Sequence, residues 1–233
     1  IIWILGGDRN PRQSTNDTEV WRAMAAGIAE GLGGYNKALM TFHPQPNMDG
    51  ASEWFHNDEW LDFNMFQTGH CRDTSVFDNI QGSYDRALIK PVLNGEPIYE
   101  DHPVCFNAAD LGISNAYDVR KAAYLSLFAG AFGHTYGCHD IWQMYTQGKA
   151  AVNGAAMDWK LALDLPGAGQ MQHVRNLMES RPILDRVPDQ SLIVENNRAS
   201  YERIQATRAL DYAFIYSATG FPFSVKLGRI SGT

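Results

Sequence analysis

The stretch Lys90-Pro91-Val92-Leu93-Asn94-Gly95-Glu96-Pro97-Ile98-Tyr99-Glu100 decides the fold of this chain. Val92 and Leu93 form a short apolar run bounded by turn residues, which predicts a buried strand. Glu96 follows where that strand gives way to a loop framed by Gly and Pro. In a parallel α/β barrel the carboxyl ends of the strands form the active-site floor, so Glu96 is a candidate catalytic residue. The alternative is that Glu96 caps the turn or pairs with an arginine.

Four other apolar segments lead to polar side chains in the same way. They are 1–5 before Asp8, 38–42 before His43, 63–67 (which ends in Gln67) before His70, and 129–137, which contains His134 and Tyr136. Helices are predicted between them at about 17–32, 75–88 and 116–128, and in the first of these Val20, Met24, Ile28 and Leu32 are expected to face the core. Repeated strand–helix units indicate a parallel sheet.

The expected fold class is α/β, and a barrel is favoured over an open doubly wound sheet. Polar groups follow all five strands, and neither a GxGxxG nor a GxxxxGK[ST] phosphate loop is present. Five units are too few for an eight-stranded barrel, so we expect a fragment holding about strands 4–8 of a (β/α)8 TIM barrel. We expect the barrel part over residues 1–190, and a β-rich extension over 191–233 with strands near 191–194, 213–216 and 223–225.

Composition narrows the class of protein. The chain has 233 residues, of which 45% are hydrophobic and 19% charged, as expected of one large domain with a filled core. A net charge of −7 without a Lys/Arg cluster argues against a nucleic-acid partner. No apolar run approaches the roughly 20 residues needed to span a bilayer. Cys71, Cys105 and Cys138 form neither an even set nor a CxxC pair, so free thiols are expected, with one disulfide as the alternative.

Asp8 and Glu96 are the candidate catalytic pair. Glycoside hydrolysis needs one carboxylic acid to protonate the leaving oxygen and a second carboxylate to attack the sugar or activate water. Two carboxylates in one cleft, one of them near a basic group such as Arg9, can hold separate pKa values and so divide these roles. Two unrelated structural acids remain the alternative, and Glu100 is the rival to Glu96.

Further side chains are candidate sugar contacts. Histidines at strand ends can hydrogen-bond hydroxyl groups, and aromatic faces in loops, such as those of Trp54, Trp60 and Trp142, offer apolar platforms with a polar edge. The substrate-binding candidates are Arg9, Asn10, His43, Gln67, His70, Tyr99, Glu100, His134, Tyr136 and Trp142. A zinc site on His43, His70, His134 and His139 is the rival interpretation, but the HExxH spacing is absent, and so is the GxSxG motif of serine esterases. No metal and no cofactor are therefore expected.

Several ordered motifs together carry a resemblance to a known family. The runs 2–10, 41–44, 60–70, 91–100 and 130–142 resemble the apiosidase-like glycoside hydrolases, glycoside hydrolase family 140, and the resemblance extends to about residue 220. It implies a (β/α)8 barrel with a C-terminal collagen-binding-like β domain. It also implies cleavage of apiose-containing side chains of the pectin rhamnogalacturonan II by secreted, periplasmic or cell-surface proteins of bacteria.

The resemblance also implies roles for the two carboxylates. Asp8 would follow the fourth barrel strand as acid/base, and Glu96 the seventh as nucleophile. A retaining mechanism of this kind predicts carboxyl groups roughly 5–5.5 Å apart, whereas ~6.5–9.5 Å would indicate inversion. Strands one to three and part of the sugar pocket are expected to be missing. A non-catalytic carbohydrate-binding barrel and a glycosidase of other sugar specificity remain the alternative functions.

Overall fold

The computed structural model describes residues 1–195 and 200–231. Two parallel sheets occupy its first part. One pairs β1 (Ile2–Gly6) with β2 (Leu39–His43), and the other has the order β3 (Asn64–Gln67), β4 (Val92–Glu96), β5 (Gly133–His134). The sheets adjoin at β2 and the segment before β3, where Thr41 Oγ1 donates a hydrogen bond of 2.6 Å to the carbonyl of Phe63. The predicted parallel α/β arrangement is therefore confirmed.

Helices connect and cover these strands. They are α1 (Asp17–Leu32), α2 (Ser52–Phe55), α3 (Val76–Tyr84), α4 (Ala108–Leu111), α5 (Ala116–Phe128), α6 (His139–Trp142), α7 (Trp159–Ala162) and α8 (Pro166–Glu179). Short 3-10 turns lie at Gln13–Thr15, Tyr35–Lys37, Val104–Phe106, Gln190–Leu192 and Ser200–Glu202. In the part of the chain that the structure describes, no helix is long and apolar enough to cross a membrane.

The ends of the long helices follow from their sequences. At the start of α5, Asn115 and Asp118 form a capping box, in which the side chain of each residue accepts a hydrogen bond from the backbone N–H of the other. At the end of α1, Gly33 takes the left-handed conformation (φ 86°) that glycine adopts without steric cost. These signals explain why α5 begins and α1 ends at the predicted residues.

The predicted core face of α1 is confirmed only at Ile28, which is partly buried and packs against the core. Val20, Met24 and Leu32 are exposed, whereas Ala25 and Ala29 are the buried residues of this helix. Helical spacing identified an apolar stripe, but the sheet contacts the adjacent face, where small alanines allow close packing. Trp60 and Phe55 belong to the same core cluster as the alanines, and Trp54 packs against it. Trp54 and Trp60 are therefore core residues and not loop platforms.

The described residues do not form a closed barrel. β1 pairs on one side with β2, and β5 pairs on one side with β4, so each sheet keeps an open edge. The next strands are antiparallel instead, with the order β6 (Val187–Pro188), β7 (Ile204–Arg208), β8 (Ala213–Ser217). The strand expected at 191–194 is a 3-10 turn, and the one expected at 223–225 is reduced to a single bridge between Ile193 and Val225.

Two of the three cysteines are joined, which corrects the expectation of free thiols. Cys71 lies just after β3 and Cys105 in the loop after β4, and a disulfide links them. Their spacing of 34 residues gave no local signal, because the pair meets only once the two loops pack together. Cys138 is free and buried.

Candidate functional site

A cavity of about 470 Å³ lies at the carboxyl ends of the parallel strands. Both predicted catalytic acids, Asp8 and Glu96, line it. So do the predicted contact residues His43, Gln67, His70, Tyr99 and Trp142. The fold therefore brings together side chains from the ends of four strands, as expected where parallel strands end at one edge.

A register shift directs Glu96 into this cavity. Phe66 pairs with Asn94, but the next residue of β3, Gln67, pairs with Glu96, so Gly95 is an extra residue in β4. Asn94 is buried and donates to Ser126 of α5, on the helix side of the sheet. Without the extra residue, Glu96 would share that side, because side chains two apart in a strand point the same way. Glycine fits closely at 95, since a Cβ there would lie 2.1 Å from Cε of Met65 and would require that side chain to shift.

Two histidines contact the Glu96 carboxylate. Nε2 of His43 is 2.9 Å from Oε2, and Nε2 of His70 is 3.4 Å from Oε1. Burial opposes the charge on Glu96, but the contacts with His43 and His70, the charge of His43 and a hydrogen bond from Tyr99 outweigh burial and lower the pKa of Glu96 to about 2. The His43 contact is close but poorly aligned as a hydrogen bond, as is common before a substrate tightens a site. Glu96 is therefore ionised at neutral pH.

Tyr99 and Asp8 complete the surroundings of this carboxylate. Burial, followed by the charge of Glu96 and a hydrogen bond to it, raises the pKa of Tyr99, so its hydroxyl stays protonated and donates. Asp8 lines the same cavity as Tyr99, and its charge also raises the pKa of Tyr99. Asp8 is exposed and has φ 51°, in a sharp turn that follows Gly6 and Gly7. The turn carries its carboxylate beyond the strand end toward the cavity.

A line of aromatic rings in contact with one another forms one wall of the cavity. His70 stacks on His102 at 4.2 Å between centroids, and His102 meets His139 edge-on at 4.5 Å. His139 is in turn parallel to Trp142 at 6.1 Å. Burial, with the neighbouring histidines, lowers the pKa of His102 to about 4, so this ring is neutral near pH 7. Its Nδ1 donates to the carbonyl of Pro103 at 2.7 Å.

Five of the predicted contact residues do not line this cavity, and three of them, Glu100, His134 and Tyr136, make their contacts elsewhere. Glu100 is buried, and its carboxylate accepts from the Tyr136 hydroxyl (2.6 Å) and from the backbone N–H of Gly167 (3.0 Å) near the start of α8. His134 lines a different cavity of about 460 Å³ between α5 and α8, where burial lowers its pKa to about 3. Because His134 pairs with Asn94 in register, it faces the helix layer. Glu100, His134 and Tyr136 therefore lie outside the cavity that holds Asp8 and Glu96.

Arg9 and Asn10 lie beside the cavity rather than in its lining. Asn10 Oδ1 accepts a hydrogen bond of 2.8 Å from the backbone of Gln45, which is itself a lining residue. Arg9 is exposed on the same loop. Asn10 thus fixes the loop that carries a wall of the site.

The sequence reasoning missed several lining residues, namely Gln45, Pro46, His102, Phe106, His139 and Asn153 as site residues. A dense run of aromatic residues and histidine over 99–106 was the available signal. It lies in the loop after β4, where no periodic pattern indicates which side chains face the cavity. Gln67 was predicted, and its buried Oε1 is unpartnered, so it can accept a hydrogen bond from a ligand. Across residues 1–195 and 200–231, no group of three or more His, Cys, Asp or Glu is arranged to hold a metal ion.

A cleft at the ends of parallel strands, lined by two carboxylates, histidines and aromatic rings, is the kind of site that glycosidases use. Residues 1–185 match the family model of the apiosidase-like catalytic domain, and the chain belongs to that family. Residues 187–233 match the model of a collagen-binding domain described for a collagenase. No curated protein matches the sequence.

Solved structures give the same class. A protein described as a glycoside hydrolase is 39% identical with a TM-score of 0.90, and the alignment covers 100% of this chain and 54% of that one. A glycoside hydrolase family 5 protein from Bacteroides vulgatus ATCC 8482 is 40% identical with a TM-score of 0.91, over 100% of this chain and 52% of that one. The chain thus spans about half the length of these neighbours. The family and the neighbours support an enzyme of the glycosidase class.

Proposed function

We propose that this chain carries the catalytic pair of a retaining glycoside hydrolase, with Glu96 as nucleophile and Asp8 as acid/base. The observation that carries the proposal is an ionised Glu96 that shares one cavity with Asp8. A nucleophile must be deprotonated before substrate arrives, and the two histidines beside Glu96 favour that state. Asp8 is the second carboxylate of the cavity and is exposed, so it can exchange a proton with the leaving oxygen and with water.

The reaction proceeds in two displacements. Glu96 attacks the anomeric carbon while the bond to the leaving oxygen breaks, and that oxygen takes the proton of Asp8. A glycosyl ester of Glu96 results. Asp8, now ionised, removes a proton from water, the water oxygen attacks the anomeric carbon, and the ester bond breaks. Glu96 is released as a carboxylate and Asp8 is again protonated, so the cycle closes without a cofactor.

The remaining lining residues hold the sugar. His43, His70 and Tyr99 contact the nucleophile and are placed to bind hydroxyl groups on the adjoining ring carbons. Gln67 offers its unpartnered carbonyl oxygen, and Trp142, which is 58% exposed, offers an aromatic face. Arg9 and Asn10 act at the rim. Glu100, Tyr136 and His134 have no part in this proposal.

The proposed substrate is an apiose-containing side chain of rhamnogalacturonan II, a plant cell-wall pectin. Support comes from the apiosidase-like family and from the resemblance of the five sequence motifs to glycoside hydrolase family 140. A polar pocket with several hydroxyl-binding groups suits a sugar with branched hydroxyls. The protein itself is proposed to be bacterial and secreted, periplasmic or displayed on the cell surface. The Cys71–Cys105 disulfide supports this location, since such bonds persist in oxidising compartments.

The architecture that we propose around this site is the C-terminal part of a (β/α)8 barrel over residues 1–190, followed by a β-rich extension over 191–233. The two open sheet edges at β1 and β5 support the first part, because a barrel would pair them with further strands. The two family matches, which meet between residues 185 and 187, support a division close to the proposed one.

Sugar release from rhamnogalacturonan II oligosaccharides tests the proposal in the full-length protein. We expect release by the wild type and a loss of at least ~10³-fold in kcat for Glu96→Gln and Asp8→Asn. Glu30→Gln, which removes an exposed carboxylate on α1, is the matched control and is expected to leave the rate unchanged. Binding of the oligosaccharides without release would support a non-catalytic carbohydrate-binding protein instead, and release of another sugar would correct the specificity.

A further inference from the structure

Phe106 is an aromatic side chain in the cavity wall that the proposed reaction does not use. It is 61% exposed, although it lines the same cavity as Asp8 and Glu96. Single exposed apolar side chains are common on protein surfaces, so Phe106 indicates a function only if the structure fixes it beside the cavity. Three observations show that Phe106 is held.

The backbone at Phe106 is in an unusual conformation. Cys105 has φ 50° and Phe106 has φ 62°, so two consecutive residues other than glycine are left-handed. Such residues are uncommon, and they persist where the surrounding structure enforces them, which is often at a functional site. A relaxed loop would turn this phenylalanine to a different position.

The disulfide supplies the constraint. Cys105 is bonded to Cys71, and its backbone N–H donates a hydrogen bond of 2.8 Å to the carbonyl of His70. The loop that carries Phe106 is therefore tied, covalently to Cys71 and by a hydrogen bond to His70, a few residues after the end of β3. Since His70 contacts Glu96, the position of Phe106 is fixed relative to the nucleophile.

The ring of Phe106 continues the row of stacked rings. It meets His102 edge-on at 4.9 Å and His70 at 5.6 Å. At the other end of the row stands Trp142, also largely exposed. The cavity, at about 470 Å³, lies in the size range of sites for drug-sized ligands and is larger than one sugar ring requires.

We propose that Phe106, fixed by the Cys71–Cys105 disulfide, is a specificity-determining platform for a second sugar unit, the one that adjoins the cleaved bond. The apolar face of that sugar ring lies on the phenyl ring, as sugars commonly lie on aromatic side chains. The identity of the cleaved bond rests on the proposed function, whereas binding of a sugar ring to Phe106 does not depend on hydrolysis. The site then selects oligosaccharides over single sugars.

Calorimetric titration of the full-length protein, with Glu96→Gln to keep substrates intact, tests this inference. The probes are free apiose and a rhamnogalacturonan II oligosaccharide that ends in apiose. We expect Phe106→Ala to weaken oligosaccharide binding about tenfold while leaving apiose binding unchanged. Phe106→Trp is expected to restore it. Tyr201→Ala removes a similarly exposed ring outside the cavity and is expected to change neither affinity.

The disulfide has its own variant. Cys71→Ser/Cys105→Ser retains Phe106 but frees its loop, and we expect the same selective loss for the oligosaccharide, with circular dichroism confirming that the fold is kept. Equal loss for both probes, no loss in Phe106→Ala, or no binding of either probe would overturn the inference. Failure of the proposed function gives a different result. If the wild-type protein does not hydrolyse the oligosaccharide, a selective loss of oligosaccharide binding in Phe106→Ala would still establish the platform.

Discussion

Nε2 of His43 lies 2.9 Å from Oε2 of Glu96, although the two residues stand on separate sheets. The contact joins the end of β2 to the end of β4 across the mouth of the cavity. Burial would raise the pKa of Glu96, and the contact with His43 is the largest of the effects that lower it instead. The arrangement of the sheets therefore sets the protonation state of the proposed nucleophile.

Removing His43 is expected to move the acid limb of the pH–rate profile. The wild-type limb of kcat/KM that reports Glu96 should lie near pH 2 to 3, because the pKa of Glu96 is lowered to about 2. In His43→Ala the carboxylate loses the imidazole at 2.9 Å and its positive charge, so the pKa of Glu96 rises and we expect the limb to move up by about one pH unit. His173→Ala, an exposed histidine on α8, is the control. An unmoved limb in His43→Ala would show that His43 does not act on Glu96.

Glu100 is expected to act on stability and not on catalysis. Glu100→Gln weakens the contacts with Tyr136 and with Gly167 N–H, so we expect a loss of about 1–3 kcal/mol in the free energy of unfolding. Because this carboxylate does not line the cavity, the pH profile of the folded variant should match that of the wild type. A collapse of kcat in a variant of normal stability would return Glu100 to the list of nucleophile candidates.

Gly137 makes room for Tyr99. A Cβ at position 137 would lie 2.1 Å from Cδ1 of the Tyr99 ring, which has no flexible end to give way. We expect Gly137→Ala to lower stability by about 1–3 kcal/mol and to reduce kcat, since Tyr99 donates to Glu96. Gly82→Ala is the contrasting variant. Gly82 is exposed in α3 with open space around it, so alanine there should stabilise by roughly 0.5–1 kcal/mol. Thermal denaturation and turnover rates of both variants test these expectations. Wild-type stability and kcat in Gly137→Ala would contradict the role given to Gly137.

The pair Asp101 and Asp140 is expected to make stability depend on pH. Burial, and then a hydrogen bond with Asp140, raises the pKa of Asp101 from 3.8 to about 6. The folded protein holds this proton more tightly than the unfolded chain, so the free energy of unfolding contributed by Asp101 falls as the pH rises from about 4 to about 6.

Asp101→Asn removes that titration. After allowance for solvent screening, we expect the variant to be about 1 kcal/mol more stable than the wild type at pH 7, with little difference below pH 4. Urea denaturation at a series of pH values measures the slope. Asp164→Asn, at an exposed position, should keep the wild-type slope, and a wild-type slope in Asp101→Asn would count against the pairing.

Local signals in the sequence were enough for the elements that surround the site. Helical spacing predicted the bounds of α1 and α5, and the apolar runs predicted the parallel strands. Asp8, His43, His70 and Glu96 could be brought together in advance, because the carboxyl ends of parallel strands share one edge. What the sequence pattern did not contain was the register shift at Gly95, which depends on how β3 and β4 pair.

The differences between the predicted and the observed positions have a common physical origin in contacts between distant segments. His134 lies at the end of its strand, as the other polar residues do. Because it pairs with Asn94, its side chain points toward the helices. The Cys71–Cys105 bond and the ring row from Phe106 to Trp142 depend on the packing of loops that have no periodic pattern. The exposed apolar stripe of α1 shows that helical spacing identifies a stripe without identifying what covers it.

The most direct test of the central claim is to trap the glycosyl-enzyme. The full-length protein is incubated with a 2-deoxy-2-fluoro glycoside of the sugar that the wild type releases, and the labelled peptide is sequenced by mass spectrometry. We predict one added glycosyl group, esterified to Glu96, and no label on the Glu96→Gln variant. A label on Asp8 or Glu100, or release of a product with inverted anomeric configuration and no label, would contradict the assignment.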